Sequence, residues 1–122
     1  MPKQKPAFDR SNCPIAVTLD AIGDRWSLLV IRDLFRGAKR YNEFLNAPEG
    51  VAPNILADRL RRLEDAGLIS KSAYQDNPVR HDYALTEKGR ALGPVLKEIV
   101  LWANAHYPGT YKPPLTKLAQ KR

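Results

Sequence analysis

The chain has 122 residues and a mass of 13.8 kDa, enough for one domain with a core of its own and too little for a separate catalytic domain beside it. Its longest unbroken apolar run is Ile99 to Ala103, which excludes a membrane-spanning helix, and the polar start Met1 to Pro6 lacks the apolar segment of a signal peptide, so a cytoplasmic protein is expected. The net charge of +7 is less telling than it looks: Lys3, Lys5, Arg10 and Asp9 give residues 1–10 a net +2, Lys112, Lys117, Lys121 and Arg122 give 108–122 a net +4, and only +1 remains for 11–107.

In chain order, Asn12 and Pro14 open a helix whose apolar residues Ile15, Leu19 and Ile22 recur at helical spacing up to Gly23. Asp24 then caps a second helix, from about Arg25 to Phe35. Trp26, Leu28, Leu29, Val30, Ile31, Leu34 and Phe35 cover most of its circumference, which predicts a central, buried helix. Tyr41 to Leu45 forms one or two further turns, and Pro48 and Gly50 mark a loop. Pro53 starts the best-delimited helix, with Leu56, Leu60 and Leu63 on one face and Gly67 as its stop.

Ile69 to Tyr74 and His81 to Leu85 read as a hairpin turned at Asn77 and Pro78. Thr86 caps a long helix reaching Pro108, with a bend allowed by Gly89, Gly93 and Pro94. Leu92, Val95, Leu96, Ile99, Trp102, Ala103 and His106 form its apolar face. This divides the chain into a flexible basic arm at 1–10, one domain at 11–107 and a flexible basic tail at 108–122. The fold class is mainly α with a small β-hairpin, arranged as a winged helix-turn-helix with added N- and C-terminal dimerisation helices, in which the helix before the hairpin enters the DNA major groove.

On that helix Asn54, Ile55, Asp58, Arg61 and Arg62 point away from the leucine face, and Arg59 lies beside them. Arginine bridges guanine O6 and N7 or holds phosphate, asparagine reads adenine, and isoleucine meets a thymine methyl, so these residue types suit base reading. A plain solvated face has the same composition. Arg80 in the wing, and Tyr41 and Asn42 ahead of the reading helix, are candidates for phosphate contact, with solvation or packing as the alternatives. His81 and His106 have no partner at metal-ligand or triad spacing, and no glycine-rich phosphate loop or paired carboxylates are present, so no catalytic residue, metal or cofactor is expected. Cys13 is the single cysteine and excludes an internal disulfide.

The stretches Cys13-Pro14, Asp20-Ala-Ile-Gly-Asp-Arg-Trp26, Arg40-Tyr-Asn-Glu-Phe44, Leu60-Arg-Arg-Leu-Glu-Asp-Ala-Gly-Leu-Ile69 and Tyr83-Ala-Leu-Thr-Glu-Lys-Gly89 stand in the order and spacing of the HxlR-type winged-helix regulators, which the chain resembles from Cys13 to about Tyr107. The resemblance implies a homodimeric transcription regulator bound to a double-stranded DNA operator, with the wing 74–80 near the minor groove or backbone. A dimer about its last helix would read an inverted repeat. Ala52 departs from the capping serine common in the family, and Asp58 faces the DNA side. Cys13 matches the position through which some members sense oxidants or electrophiles, and the resemblance leaves room for a small-molecule effector. The remaining alternative is a winged helix used for protein contact without DNA binding.

Overall fold

The computed structural model describes residues 10–118. Six helices and one hairpin follow in the order α1 (Pro14–Ile22), α2 (Ser27–Phe35), α3 (Tyr41–Leu45), α4 (Pro53–Asp65), β1 (Ile69–Asp76), β2 (Val79–Leu85), α5 (Glu87–Arg90) and α6 (Gly93–His106), with a 3-10 turn at Thr116–Leu118. This is the mainly α architecture with an antiparallel two-stranded wing that the residue pattern predicts.

One core holds the elements together. Ile31 of α2, Phe44 of α3, Leu56, Leu60 and Leu63 of α4 and Ile69 of β1 are all sealed from solvent, and Ile22, Val30, Leu68 and Leu96 join them. The α4 leucines occupy the i, i+4, i+7 stripe that periodicity requires. The helix ends as its glycine dictates: Gly67 takes φ +79, the Leu68 amide donates to the Leu63 carbonyl and the Gly67 amide to the Glu64 carbonyl. That double closure satisfies two carbonyls that the helix end would otherwise leave bare.

Three features depart from the sequence reading. The expected long helix from Thr86 is two helices. Thr86 caps the short α5 by accepting from the Gly89 amide, and α5 packs so closely on the hairpin base that a β-carbon at Gly89 would lie 2.1 Å from the Leu68 carbonyl oxygen. The helix stops after one turn and restarts at Gly93 with Pro94, which has no amide to donate, in its first turn. The strands run further than expected, to Asp76 and from Val79, with a bulge between Ala73 and Gln75 that leaves Tyr74 outside the pairing.

The third departure is the segment after Pro108, expected to hang free of the body. As far as Leu118 it folds back: Asn104 Nδ2 donates to Thr110 Oγ1 at 2.9 Å and to the Tyr111 carbonyl at 3.0 Å, Arg36 bonds the Tyr111 hydroxyl, and Leu118 packs against the core. Residues 119–122 and most of the expected basic arm lie outside the described residues; Arg10 is described and pairs with Asp20.

Candidate nucleic-acid interface

The end of α4 that begins at Pro53 is set by its proline and one hydrogen bond. Ala52, in extended backbone, makes no side-chain cap; Pro53 sits in the first turn, and the Tyr41 hydroxyl donates to the Pro53 carbonyl at 2.8 Å. Proline needs no amide partner there, so a non-capping residue before it costs one satisfied donor fewer. Tyr41 is half-buried and so joins α3 to the start of α4, whereas Asn42 is exposed.

With Leu56, Leu60 and Leu63 turned inward, the outer face of α4 presents Asn54, Arg61 and Arg62 to solvent and Ile55 and Asp58 half-exposed. These positions span about 12 Å along the helix at 1.5 Å per residue, the reach of a few base pairs. Arg59 differs from its neighbours. Its side chain is 17% exposed and is turned towards the domain, with Nε 3.2 Å from Asp24 Oδ1, at an angle that makes no hydrogen bond, and Nη1 against the Asp58 carboxylate. Asp58 also meets Arg61 Nη2 at 2.5 Å and Arg62 Nε at 3.0 Å. One carboxylate thus holds three guanidinium groups.

Asp24 is the other end of this network. Its Oδ1 accepts from the Trp26 and Ser27 amides at 2.7 and 2.8 Å, and its Oδ2 from Ser27 Oγ at 2.5 Å. Partial burial works against ionisation, but these hydrogen bonds and the nearby Arg59 charge outweigh it and lower the carboxyl to about 2. The start of α2 and the middle of α4 are therefore tied by charge as well as by packing.

The wing is held at its base. The Tyr83 amide donates to the Lys39 carbonyl at 2.7 Å, and Arg40 Nε donates to Asp82 Oδ1 at 2.8 Å while its guanidinium lies 3.7 Å from the centre of the Tyr74 ring. Glu43 accepts from the Lys39 and Arg40 amides, which fixes the turn carrying Arg40 and holds the Glu43 carboxyl below its usual range. Beyond this clamp every residue from Ser70 to Arg80 is exposed, and Arg80 pairs across the ladder with Gln75 near the tip. Sequence reasoning missed Arg40, Tyr74 and Asp82, whose meeting depends on how the hairpin docks. His81 and His106 belong to no metal-competent cluster among the described residues.

This helix, its preceding short helix and the clamped wing coincide with a match to the HxlR-like helix-turn-helix model over residues 21–111. The chain belongs to the HxlR-like helix-turn-helix family. Among similar proteins, the uncharacterized HTH-type transcriptional regulator sll1512 of Synechocystis is 40% identical over 92 residues, covering 75% of this chain and 68% of its own length. YdeP of Bacillus subtilis, of the same description, is 35% identical over 114 residues, covering 93% and 85%. Among solved structures, the redox regulator HypR in its reduced form superposes with a TM-score of 0.72 at 31% identity, covering 79% of this chain and 95% of HypR. The reduced transcriptional regulator YodB from B. subtilis gives a TM-score of 0.66 at 32% identity, covering 81% and 98%. The HxlR-like match begins after Cys13, which lies exposed as the residue preceding α1, its amide donating to Ser11 Oγ. No helix among the described residues is long and apolar enough to cross a membrane.

Among the described residues of this HxlR-like chain, two helices expose apolar side chains. Leu96 of α6 is buried, and Leu92, Val100 and Ala103 are partly so, but Val95, Ile99 and Trp102 on the other side of the helix are exposed, Trp102 at 57%. On α1 only Ile22 is buried, while Ile15 is 71% exposed and Leu19 also faces solvent. The single apolar face read for each helix is therefore divided, part turned to the core and part bare.

Proposed function

We propose that the chain is a sequence-specific, double-stranded-DNA-binding transcription regulator that works in the cytoplasm as a homodimer, with α4 lying in the major groove. The observation that carries this is the division of α4 into a sealed leucine seam and an outer face of Asn54, Ile55, Arg61 and Arg62 on a helix anchored at both ends. A rigid element presenting groups that bridge guanine, read adenine and touch a thymine methyl is what base recognition requires. Arg80, near the tip of the clamped wing, reaches backbone phosphate, and Asn42 takes a second phosphate contact ahead of the reading helix. Arg59 serves the interface from behind by fixing α4 to Asp24.

The homodimer reading rests on the bare sides of α1 and α6, whose exposed Ile15, Leu19, Val95, Ile99 and Trp102 favour cover by a second copy. Two reading helices about 34 Å apart then fit an inverted repeat. Cys13 is read as a thiol sensor. Support comes from its exposure beside α1 and from the description of HypR as a redox regulator and of YodB in a diamide-treated form. A small-molecule effector is compatible with the same scheme.

The test is selection of duplexes from a random pool, followed by titration of the recovered sequence. Arg61→Ala and Arg62→Ala should each cost about 1–3 kcal/mol of binding free energy. Unchanged affinity in folded variants would remove α4 from the reading role, and no enrichment at all would favour the protein-contact alternative.

A further inference from the structure

The charges on the outer face of α4 are not free. Asp58 stands in the middle of that face, its Oδ1 2.5 Å from Arg61 Nη2 and its Oδ2 3.0 Å from Arg62 Nε, and it also binds Arg59. Arg61 and Arg62 are 65% and 64% exposed, yet both are drawn along the helix towards one carboxylate. Arg59, at 17% exposure, connects that carboxylate to Asp24 and hence to the start of α2. Asp58 is thus anchored from behind and cannot simply swing away with the arginines. A carboxylate at the centre of a polyanion-binding face repels phosphate, and here it also engages one nitrogen of each of Arg61 and Arg62 and offsets their charge.

Resting on the reading of α4 as the recognition helix, we propose that Asp58 is a specificity-determining residue. It withholds the Arg61 and Arg62 guanidinium groups from indiscriminate phosphate contact and releases them where base edges replace the carboxylate. The physical basis is competition. At a random site the arginines can gain only phosphate contacts, which must displace the existing ion pairs and bring a fixed negative charge towards the backbone. At the correct site a bidentate contact to a base replaces the pairing with geometry of equal quality. Asp58 therefore weakens binding everywhere but weakens it most where no base contact compensates. Ser, Ala or Asn at this position would leave a stronger and less discriminating binder.

The test uses the full-length protein and two probes: the duplex recovered by selection with the unmodified protein, and a shuffled duplex of the same composition. Asp58→Asn keeps the side-chain shape and removes the charge. It should tighten binding to the shuffled duplex about threefold to tenfold, as expected for release of two exposed ion pairs. It should also steepen the salt dependence there by about one phosphate equivalent, a slope change near 0.9 in log affinity against log salt. Affinity for the selected duplex should rise by less, so the ratio between the two falls. Asp58→Glu, which keeps the charge, should restore most of the ratio. An effect through stability alone would not move the salt slope, and circular dichroism with urea titration shows that each variant is folded.

An unchanged ratio and slope in Asp58→Asn, with Arg61→Ala and Arg62→Ala still weakening the selected duplex, would overturn this proposal and leave the recognition helix standing. A ratio that falls equally in Asp58→Glu would overturn it as well, because the charge would then not be the cause. Failure of the unmodified protein to bind either duplex would overturn both.

Discussion

Replacing Asp24 by alanine removes one carboxylate that serves three donors at the start of α2 and faces Arg59 of α4. The lost acceptors lie 2.7, 2.8 and 2.5 Å from the Trp26 amide, the Ser27 amide and Ser27 Oγ, and Ser27 is 1% exposed, so solvent is a poor substitute. Trp26 is the N-cap residue, but losing the acceptor for the amides at this helix start is comparable to losing a capping side chain, about 0.5–2 kcal/mol. The partly screened pair with Arg59 adds up to about 1 kcal/mol, which puts the expected loss for Asp24→Ala at about 1–3 kcal/mol.

The pH dependence follows from the same contacts. The folded-state carboxyl is held at about 2 against an ordinary 3.8, so its ionised form favours the folded protein above the unfolded value, and that contribution is lost as pH falls through this range. Because the group is partly solvated, its share is on the order of 1 kcal/mol. Urea denaturation followed by tryptophan fluorescence should show the gap between the unmodified protein and Asp24→Ala at about pH 7 narrowing by about pH 3. A gap of less than about 0.5 kcal/mol at neutral pH, or one of the same size in acid, would show that the Asp24 carboxylate does not hold the start of α2.

Gly89→Ala should lose on the order of 1–2 kcal/mol despite alanine's better helix propensity, because its β-carbon would lie 2.1 Å from a backbone oxygen that cannot give way cheaply; a urea midpoint at or above that of the unmodified protein would contradict this. Ile99→Glu places a charge on the bare side of α6 and should convert a sedimenting dimer to a folded monomer, an outcome read by analytical ultracentrifugation and circular dichroism. Diamide should take two electrons and two protons from the Cys13 thiols of two chains, joining them by a disulfide as it is reduced to the hydrazine derivative. This band on a non-reducing gel, and any loss of duplex binding, should be absent in Cys13→Ser.

What could be read from the residues was whatever depends on local pattern. Pro53, the Leu56, Leu60, Leu63 spacing and Gly67 delimit α4 because helix periodicity and its stop signals act within a few residues. The break between α5 and α6 is less legible: glycine and proline announce a bend, but the close approach of Gly89 to the Leu68 carbonyl depends on a tertiary neighbour. The wing strands extend beyond their sequence pattern because Gln75, Asp76 and Arg80 are exposed and carry no alternation. The polar, proline-rich segment after Pro108 looked free because its anchors, Tyr111 and Leu118, are single residues in a hydrophilic stretch. At the candidate site the exposure of Asn54, Arg61 and Arg62 followed from helix geometry, whereas the Arg40 clamp on Asp82 and Tyr74 and the Asp24 contact to Arg59 join segments distant in sequence.

Binding of the selected duplex by fluorescence anisotropy, repeated across a salt series and with stoichiometry determined at saturation, decides whether a dimer reads DNA through α4. Two chains per inverted repeat, an affinity that falls steeply and linearly in log salt, and a loss of about 1–3 kcal/mol in Arg61→Ala or Arg62→Ala are expected. One chain bound to a single half-site, or an affinity indifferent both to salt and to the α4 arginines, would contradict it.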